Sequence, residues 1–541
     1  MDVSTSDAYG VLDFAAEASS SACVPQRALP LSADFDAEPS LALGPDCFLT
    51  AESVESASYP PDCCVTISTE GLQAVERSRL EFIRSRDAGL PIYGVTTGFG
   101  PFVSYASADC GGAEHGAGLL AHLGAGSGAD APEPVVRATI LLRAQTLTQG
   151  YSGIRPELIE GCLNLLAFGI LPVIPVIGSV GASGDLVPLS FLARVLAGEG
   201  EVDCRGVRMS ASQALSNAGL HPLRLEGRDA LALTNGVSFL SAYACLAVAR
   251  AERLISRAEV LTGWAYRLLG CRTQALDERL HRARGHAGQI RSARAIADEA
   301  GIDLDRQDHN RPLQEIYSFR CAPQVLGACR ENLSFARRIV ETEINGVSDN
   351  PLFFTEASPD FSGNLAHGGN FHGQQVAFAA DALNAAMTQT GILIERQLDA
   401  LCNPMVNGGA PLLLSWKPGA FSGFAGAQLT ATALIAEMRM HAQSYATSSI
   451  PTNGGNQDVV SMGALAAREA YRQTEMLAPI LAVSGMALAQ LNHLRVYERA
   501  PGPTTWTPDW MPEFEPLEAD RPLQHDIARI ASEWLACPVV L

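Results

Sequence analysis

The chain has 541 residues, of which 47% are hydrophobic and 18% charged, the profile of a folded protein with a large core and not of a disordered one. Its formal net charge of −20 argues against nucleic acid and against an anionic membrane surface as partners, since both need clustered lysine and arginine. A neutral or zwitterionic small molecule suits the balance better. Thirteen cysteines are scattered from Cys23 to Cys537. None has the C-x2-C spacing of a zinc site and the one adjacent pair is Cys63-Cys64, so they read as reduced thiols with no metal role.

Residues 1–46 are rich in Ser, Ala, Asp and Pro and lack regularly spaced large apolar residues, which predicts a flexible extension. They carry no basic segment followed by an apolar one, so no secretory signal is expected. No stretch of apolar residues reads as a membrane span. The nearest, Leu163 to Ile177, is broken by Asn164, Gly169, Pro172 and Pro175. A cytoplasmic protein is the expectation.

Residues 47–225 form a punctuated, loop-rich N-terminal domain. A helix is predicted from about Pro132 to Leu147, stopped at Gly150–Gly153, with Pro156 opening the next. The segment ILPVIPVIGSVGASGDLVPLS (170–190) has too many prolines and glycines for one continuous helix. Residues 226–541 change texture. Val237, Leu240, Ala244, Ala247, Ala251, Leu254, Ala258, Leu261, Ala265 and Leu268 alternate spacings of three and four, which predicts one long helix with a narrow apolar stripe. Val376, Ala380, Leu383, Met387, Thr390, Ile394 and Leu401 predict a second, and 423–446 and 461–494 two more. Strand signals are few. The expected fold is mainly α: a central bundle of long helices beside the loop-rich domain. Helices this long suggest packing between subunits.

The tripeptide Ala182-Ser183-Gly184 lies in the Pro- and Gly-broken segment. Alone it is ordinary, but its setting Gly178-Ser179-Val180-Gly181-Ala182-Ser183-Gly184-Asp185 resembles that of a family of ammonia-lyases and aminomutases in which this segment cyclises, and the chemistry of that cyclisation explains the residue types. The Gly184 nitrogen can close a five-membered ring on the Ala182 carbonyl carbon, because glycine has no Cβ to block the approach and tolerates strained angles. Loss of water closes the ring, and loss of a second water from Ser183 leaves an exocyclic methylene. The product is an electron-poor alkene made without a metal. Such an electrophile solves a definite problem. The β-hydrogen of an amino acid is barely acidic and an amine leaves poorly, so capturing the amine and removing the β-proton with a base makes elimination possible.

Gly178-Ser179-Val180-Gly181-Ala182-Ser183-Gly184-Asp185-Leu186-Val187-Pro188-Leu189 resembles the signature of the ammonia-lyases and aminomutases that depend on 4-methylideneimidazol-5-one (MIO). The resemblance covers about residues 47–541 in at least six ordered blocks. It implies an all-α fold of the fumarase/aspartase-like superfamily, an MIO group built from Ala182-Ser183-Gly184, and homotetramers whose sites combine three subunits. Tyr93-Gly94-Val95-Thr96-Thr97-Gly98-Phe99-Gly100 looks like the loop of the catalytic base Tyr93, whose phenol, ordinarily near ~10, would have to be favoured as phenolate. Leu233-Thr234-Asn235-Gly236 makes Asn235 a substrate-positioning donor. In Gln314-Glu315-Ile316-Tyr317-Ser318-Phe319-Arg320, Arg320 would grip the substrate carboxylate with its planar pair of donors, with Tyr317 beside the prosthetic group and Gln314 in the substrate site. Here Gln-Glu stands where the family usually has Gln-Asp. Gly368-Gly369-Asn370-Phe371-His372 brings Phe371 near the site, and Asn453-Gly454-Gly455-Asn456-Gln457 brings Asn453 and Gln457, the latter toward the carboxylate end. Gly100 and Leu186 complete the substrate-binding set.

His122-Leu123 falls where tyrosine ammonia-lyases of the family resemble His-Leu, phenylalanine-type enzymes Phe-Leu, and histidine-type enzymes Ser-His. An imidazole there can hydrogen-bond a para-hydroxyl and discriminate against a substrate lacking it. The implied reaction is elimination of ammonia from L-tyrosine, or from 3,4-dihydroxyphenylalanine, to p-coumarate or caffeate. Alternatives are an aromatic 2,3-aminomutase and a phenylalanine or histidine ammonia-lyase. The Gly-Ser-Ser-x-Met-Pro loop of the fumarase/aspartase enzymes is absent.

Overall fold

The computed structural model describes residues 41–59, 64–105, 110–301, 311–356, 358, 360, 363–497 and 507–536. Residues 1–40 lie outside the described residues. Leu41–Leu43, placed in the extension by the sequence reading, is a strand pairing in parallel with Val65–Ile67. Gly44 behind it receives hydrogen bonds from the side-chain amides of Gln145 and Gln149, so the folded chain starts before residue 47.

The architecture is mainly α. The longest helices are Ser238–Leu269, Ala322–Ile344, Gln374–Cys402 and Gly463–Tyr497, with Ala425–Met440 and Gln524–Leu535 against them. The Glu133–Thr148 helix follows Pro132, and Pro156 is the first residue of Pro156–Phe168, as its fixed φ and missing N–H suit. The Ser238–Leu269 helix is not striped: every residue from Ser238 to Ala251 is buried. Its alanines at 242, 244, 247, 249 and 251 let neighbouring helices close on all sides, where the sequence reading expected one narrow seam. In its second half Glu259, 1% exposed, pairs with Arg330, 5% exposed, at 2.5 Å, and accepts from Ser292 at 2.6 Å. One apolar core runs from Leu43 to Trp534 and crosses the 225/226 boundary without a break.

Segment 170–190 is broken as expected. Ile170–Pro172 joins a three-stranded antiparallel sheet with Glu201–Cys204 and Val207–Ser210. Pro175–Ile177 pairs with Ser127–Asp130, and helix resumes at Leu186–Leu196. Two regions, Gly227–Leu269 and Gly463–Val496, are long and apolar enough by length and composition to cross a membrane, and their most apolar windows are 100% and 89% buried within the chain. This corrects the expectation that no such stretch exists. Small and hydroxyl residues dilute these runs in sequence, although no charge interrupts 230–249.

Candidate active site

The Ala182-Ser183-Gly184 segment is held from both ends by other parts of the chain. Upstream, the Val180 carbonyl accepts from Met462 N at 2.9 Å, and the Gly181 carbonyl from Gly373 N at 3.0 Å and Ser461 Oγ at 2.8 Å. Downstream, Asp185 N donates to the Gly236 carbonyl at 2.7 Å. The Asp185 carboxylate accepts from Ser179 Oγ at 2.6 Å and Leu240 N at 2.8 Å. Burial nevertheless pushes the Asp185 carboxyl up to about 6, with these two hydrogen bonds pulling the other way.

Gly184 has φ +70°, and a Cβ there would stand 2.3 Å from the Gly236 carbonyl oxygen and 2.5 Å from the Gly236 nitrogen. Only glycine lets two backbone strands meet this closely. Gly236 is confined from behind as well, since its own Cβ would meet Arg143 Nη1 at 1.8 Å and the Ser348 carbonyl oxygen at 2.5 Å. Arg143 is fully buried there and donates to Ser348 O at 3.2 Å. Between these clamps Ser183 faces a cavity. Asn235 Nδ2 donates to the Ser183 carbonyl at 2.9 Å and Gln457 Nε2 to Ser183 Oγ at 2.6 Å. The Asn235 Oδ1 is buried with no partner among the described residues. An unpaired buried acceptor is costly, and it sits on the wall of a ligand-sized space.

That cavity, about 680 Å³, collects Tyr93, Gly100, His122, Leu123, Ser183, Leu186, Asn235, Asn453 and Gln457, all expected from the sequence. Tyr93 is fixed by its backbone N–H, which donates to His367 Nε2 at 3.1 Å, and by its phenol oxygen, which accepts from Gly100 N at 2.7 Å. Burial pushes the Tyr93 phenol above its usual 10, with the Gly100 N–H opposing. Within one chain, therefore, the surroundings work against the phenolate that a base requires. Asn453 has φ +57°, and its amide lies opposite Gly100. The loop carrying Asn453 and Gln457 is tied to the bundle by Asp381, whose carboxylate accepts from Ser444 Oγ at 2.6 Å, Tyr445 N at 3.1 Å and Ala446 N at 2.9 Å.

Of the expected residues, Ala182 and Gly184 flank Ser183 without lining this cavity, and Tyr317, Arg320, Gln314 and Phe371 do not line it either. Tyr317 is 71% exposed, with the Arg320 guanidinium 4.6 Å above its ring. Gln314 is exposed, and Phe371 is half-buried two residues before Gly373, which bonds Gly181. Among the described residues no lysine or arginine lines the cavity, and Glu114 is its one acidic side chain.

The sequence reading missed Phe99 and His115. Phe99 meets Tyr93 edge to face at 6.2 Å and stacks on His115 at 4.2 Å. The signal was present, because His115 lies seven residues before His122 in the Ala113–Leu123 helix and so shares its face.

The fold and site define a helical-bundle enzyme class in which a clamped Ala-Ser-Gly turn, a tyrosine and an asparagine meet in one cavity. The chain belongs to the aromatic amino acid lyase family, whose family model matches residues 49–507. It is 41% identical over 449 residues to a tyrosine ammonia-lyase of Cupriavidus metallidurans, covering 78% of this chain and 82% of the relative. It is 39% identical over 435 residues to a histidine ammonia-lyase of Gloeobacter violaceus, covering 80% and 83%. Among solved structures it is similar to the tyrosine aminomutase of Streptomyces globisporus, with TM-score 0.81, 35% identity, and coverage of 91% of this chain and 97% of that one. Membership makes this a carbon–nitrogen lyase-family chain. Relatives named for histidine and for tyrosine stand at similar identity, so the comparisons leave the substrate open.

Proposed function

We propose that this chain is a tyrosine-type ammonia-lyase of the cytoplasm that removes ammonia from L-tyrosine to give p-coumarate. The observation that carries the reading is one cavity lined by Tyr93, Ser183, Asn235 and the pair His122-Leu123. The turn fits a cyclised Ala182-Ser183-Gly184: a Cβ-free Gly184 is pressed on Gly236, and both oxygens of Ser183 already have donors. When formed, MIO supplies an electron-poor methylene able to capture an amine.

The side chains have separable tasks. Gln457 Nε2 bonds the hydroxyl that must depart, which assists loss of water from Ser183. Asn235 Nδ2 holds the Ser183 carbonyl oxygen and would polarise it as part of the prosthetic group, and its Oδ1, without a partner among the described residues, accepts from the substrate ammonium. Tyr93 takes the β-proton. His122 receives the para-hydroxyl at the far end of the ring, and Leu123 packs on the ring.

The substrate carboxylate needs a cation, and none lines this cavity among the described residues. Arg320, with Tyr317, Gln314 and Phe371, fills that role from neighbouring copies in a homotetramer. Exposure of Tyr317, and a cavity with no cation among the described residues, support this arrangement.

The test is a panel of tyrosine, phenylalanine and histidine, followed by the ultraviolet growth of the acrylate, with chromatography for β-tyrosine to detect a mutase. Tyrosine is expected to be the best of the three. His122→Phe should shift preference from tyrosine toward phenylalanine by at least about tenfold. Histidine as best substrate, or an unmoved ratio, refutes the tyrosine assignment. An active protein whose intact mass lacks the loss of two waters refutes the cofactor.

A further inference from the structure

Two histidines line the cavity, and their backbone partners fix them in opposite tautomers. The Gly111 amide can only donate, so His115 Nδ1, 2.9 Å away, is the unprotonated acceptor and the ring proton sits on Nε2. The Gly118 carbonyl can only accept, so His122 Nδ1, 3.1 Å away, carries the proton and Nε2 keeps the lone pair. One ring therefore offers a donor and the other an acceptor.

His115 is well placed to present that donor. Its ring is stacked on Phe99 at 4.2 Å with an interplanar angle of 20°, which fixes its orientation. Its Nε2 bonds to none of the described residues. Burial also lowers its pKa, which keeps the ring neutral and the tautomer defined. His115 and His122 share one face of the Ala113–Leu123 helix, two turns and about 10 Å apart along the axis.

A single phenol oxygen hydrogen-bonded to both rings would bring their Nε2 atoms within about 6 Å of each other. A pair of adjacent ring hydroxyls, with oxygens about 2.7 Å apart, bridges a gap of about 8.5 Å, closer to the separation of the two residues. Tyrosine would engage His122 and leave the His115 donor without a substrate partner.

We propose that His115 is a second specificity-determining residue, and that His115 Nε2–H and His122 Nε2 together read two adjacent hydroxyls on the substrate ring. The preferred substrate is then an ortho-dihydroxyphenyl amino acid, L-3,4-dihydroxyphenylalanine, over L-tyrosine. The para-hydroxyl donates to His122, the meta oxygen accepts from His115, and the meta hydroxyl proton turns to the para oxygen. This inference rests on the tyrosine-type reading above.

The experiment measures kcat/KM for L-tyrosine, L-3,4-dihydroxyphenylalanine and L-meta-tyrosine with the full chain, wild type and His115→Phe. Phenylalanine at 115 keeps an aromatic partner for Phe99 and removes the donor. In wild type the dihydroxy substrate should exceed tyrosine. In His115→Phe the ratio of dihydroxyphenylalanine to tyrosine should fall at least about tenfold, and meta-tyrosine turnover should fall with it. A wild type that prefers tyrosine overturns the proposal, as does a variant in which all three substrates lose equally. If His115→Phe does not fold, the wild-type ratio and the His115→Gln variant decide, because glutamine restores an N–H donor and should retain more dihydroxyphenylalanine preference than His115→Leu. Turnover of histidine or phenylalanine in place of either phenol would sink the tyrosine-type reading itself. Turnover of both phenols at an unresponsive ratio would sink only the role of His115.

Discussion

Replacing Gly184 by alanine puts a methyl group 2.3 Å from the Gly236 carbonyl oxygen and 2.6 Å from its carbon. Both are backbone atoms, and Gly236 cannot retreat, because Arg143 and the Ser348 carbonyl stand behind it. The 182–184 turn must therefore move outward by about 1 Å to reach ordinary contact. The Asn235–Ser183 bond, 2.9 Å in the native chain, then stretches to about 3.9 Å, past the range of a hydrogen bond. The left-handed φ of +70° adds its own penalty for a residue with a Cβ. Together the conformational term of about 1–2 kcal/mol and the overpacking term of about 1–3 kcal/mol give a loss of about 2–5 kcal/mol. Urea denaturation should show that loss, intact mass should show a chain that keeps both waters, and kcat should fall by at least about 10²-fold with the donor displaced. A Gly184→Ala protein with native stability, two waters lost and turnover within about threefold of wild type would refute the close seat of Gly184 on Gly236 as a requirement for the chemistry.

Asn235→Ala should lower kcat by about 10²–10³ with a smaller change in KM, since the lost donor serves charge that develops during reaction; steady-state kinetics with tyrosine tests this. Asp185, raised from 3.8 to about 6 by burial, binds its proton more readily folded than unfolded. Its contribution to stability is thus full below about pH 4 and lost as pH rises through about 6, and Asp185→Asn should gain more Tm relative to wild type near pH 7.5 than near pH 5. An equal difference at both pH values would contradict that assignment. Arg330→Met leaves Glu259 buried with Ser292 as its one remaining partner among the described residues, so urea denaturation should show a loss of about 3–5 kcal/mol; a loss under about 1 would mean the bundle interior is wetter than the packing implies.

The long helices were legible because burial imposes a period on apolar residues. Val237 to Leu268 and Val376 to Leu401 carry it, and the helices end within a few residues of those runs, at Leu269 and Cys402. Ala322–Ile344 follows the same rule through Leu326, Leu333, Val340 and Ile344, yet it went unassigned among its many charged neighbours. The degree of burial was not legible. Alanines on every side of Ser238–Ala251 give no polar face to contrast with, so a surrounded helix looked like a striped one. In the site, the resemblance of whole blocks to the lyase family marked Tyr93, Ser183 and Asn235, and the glycines in those blocks are the positions where close backbone approach restricts residue choice. The heptad spacing from His122 placed His115 on the same helix face, but its orientation, set by the Gly111 amide and the Phe99 ring, was not legible.

Asp381 carries a wider lesson about tolerance. Residues 444–446, which lead into the cavity-lining loop of Asn453 and Gln457, are held by a carboxylate on the Gln374–Cys402 helix, and that helix is keyed by its neighbours on the bundle. The loop thus inherits its accuracy from a rigid rod. An insertion of one residue before position 381 would rotate the anchor by about 100° around the rod, and the far side of the cavity would lose registration although no residue touching a substrate had changed.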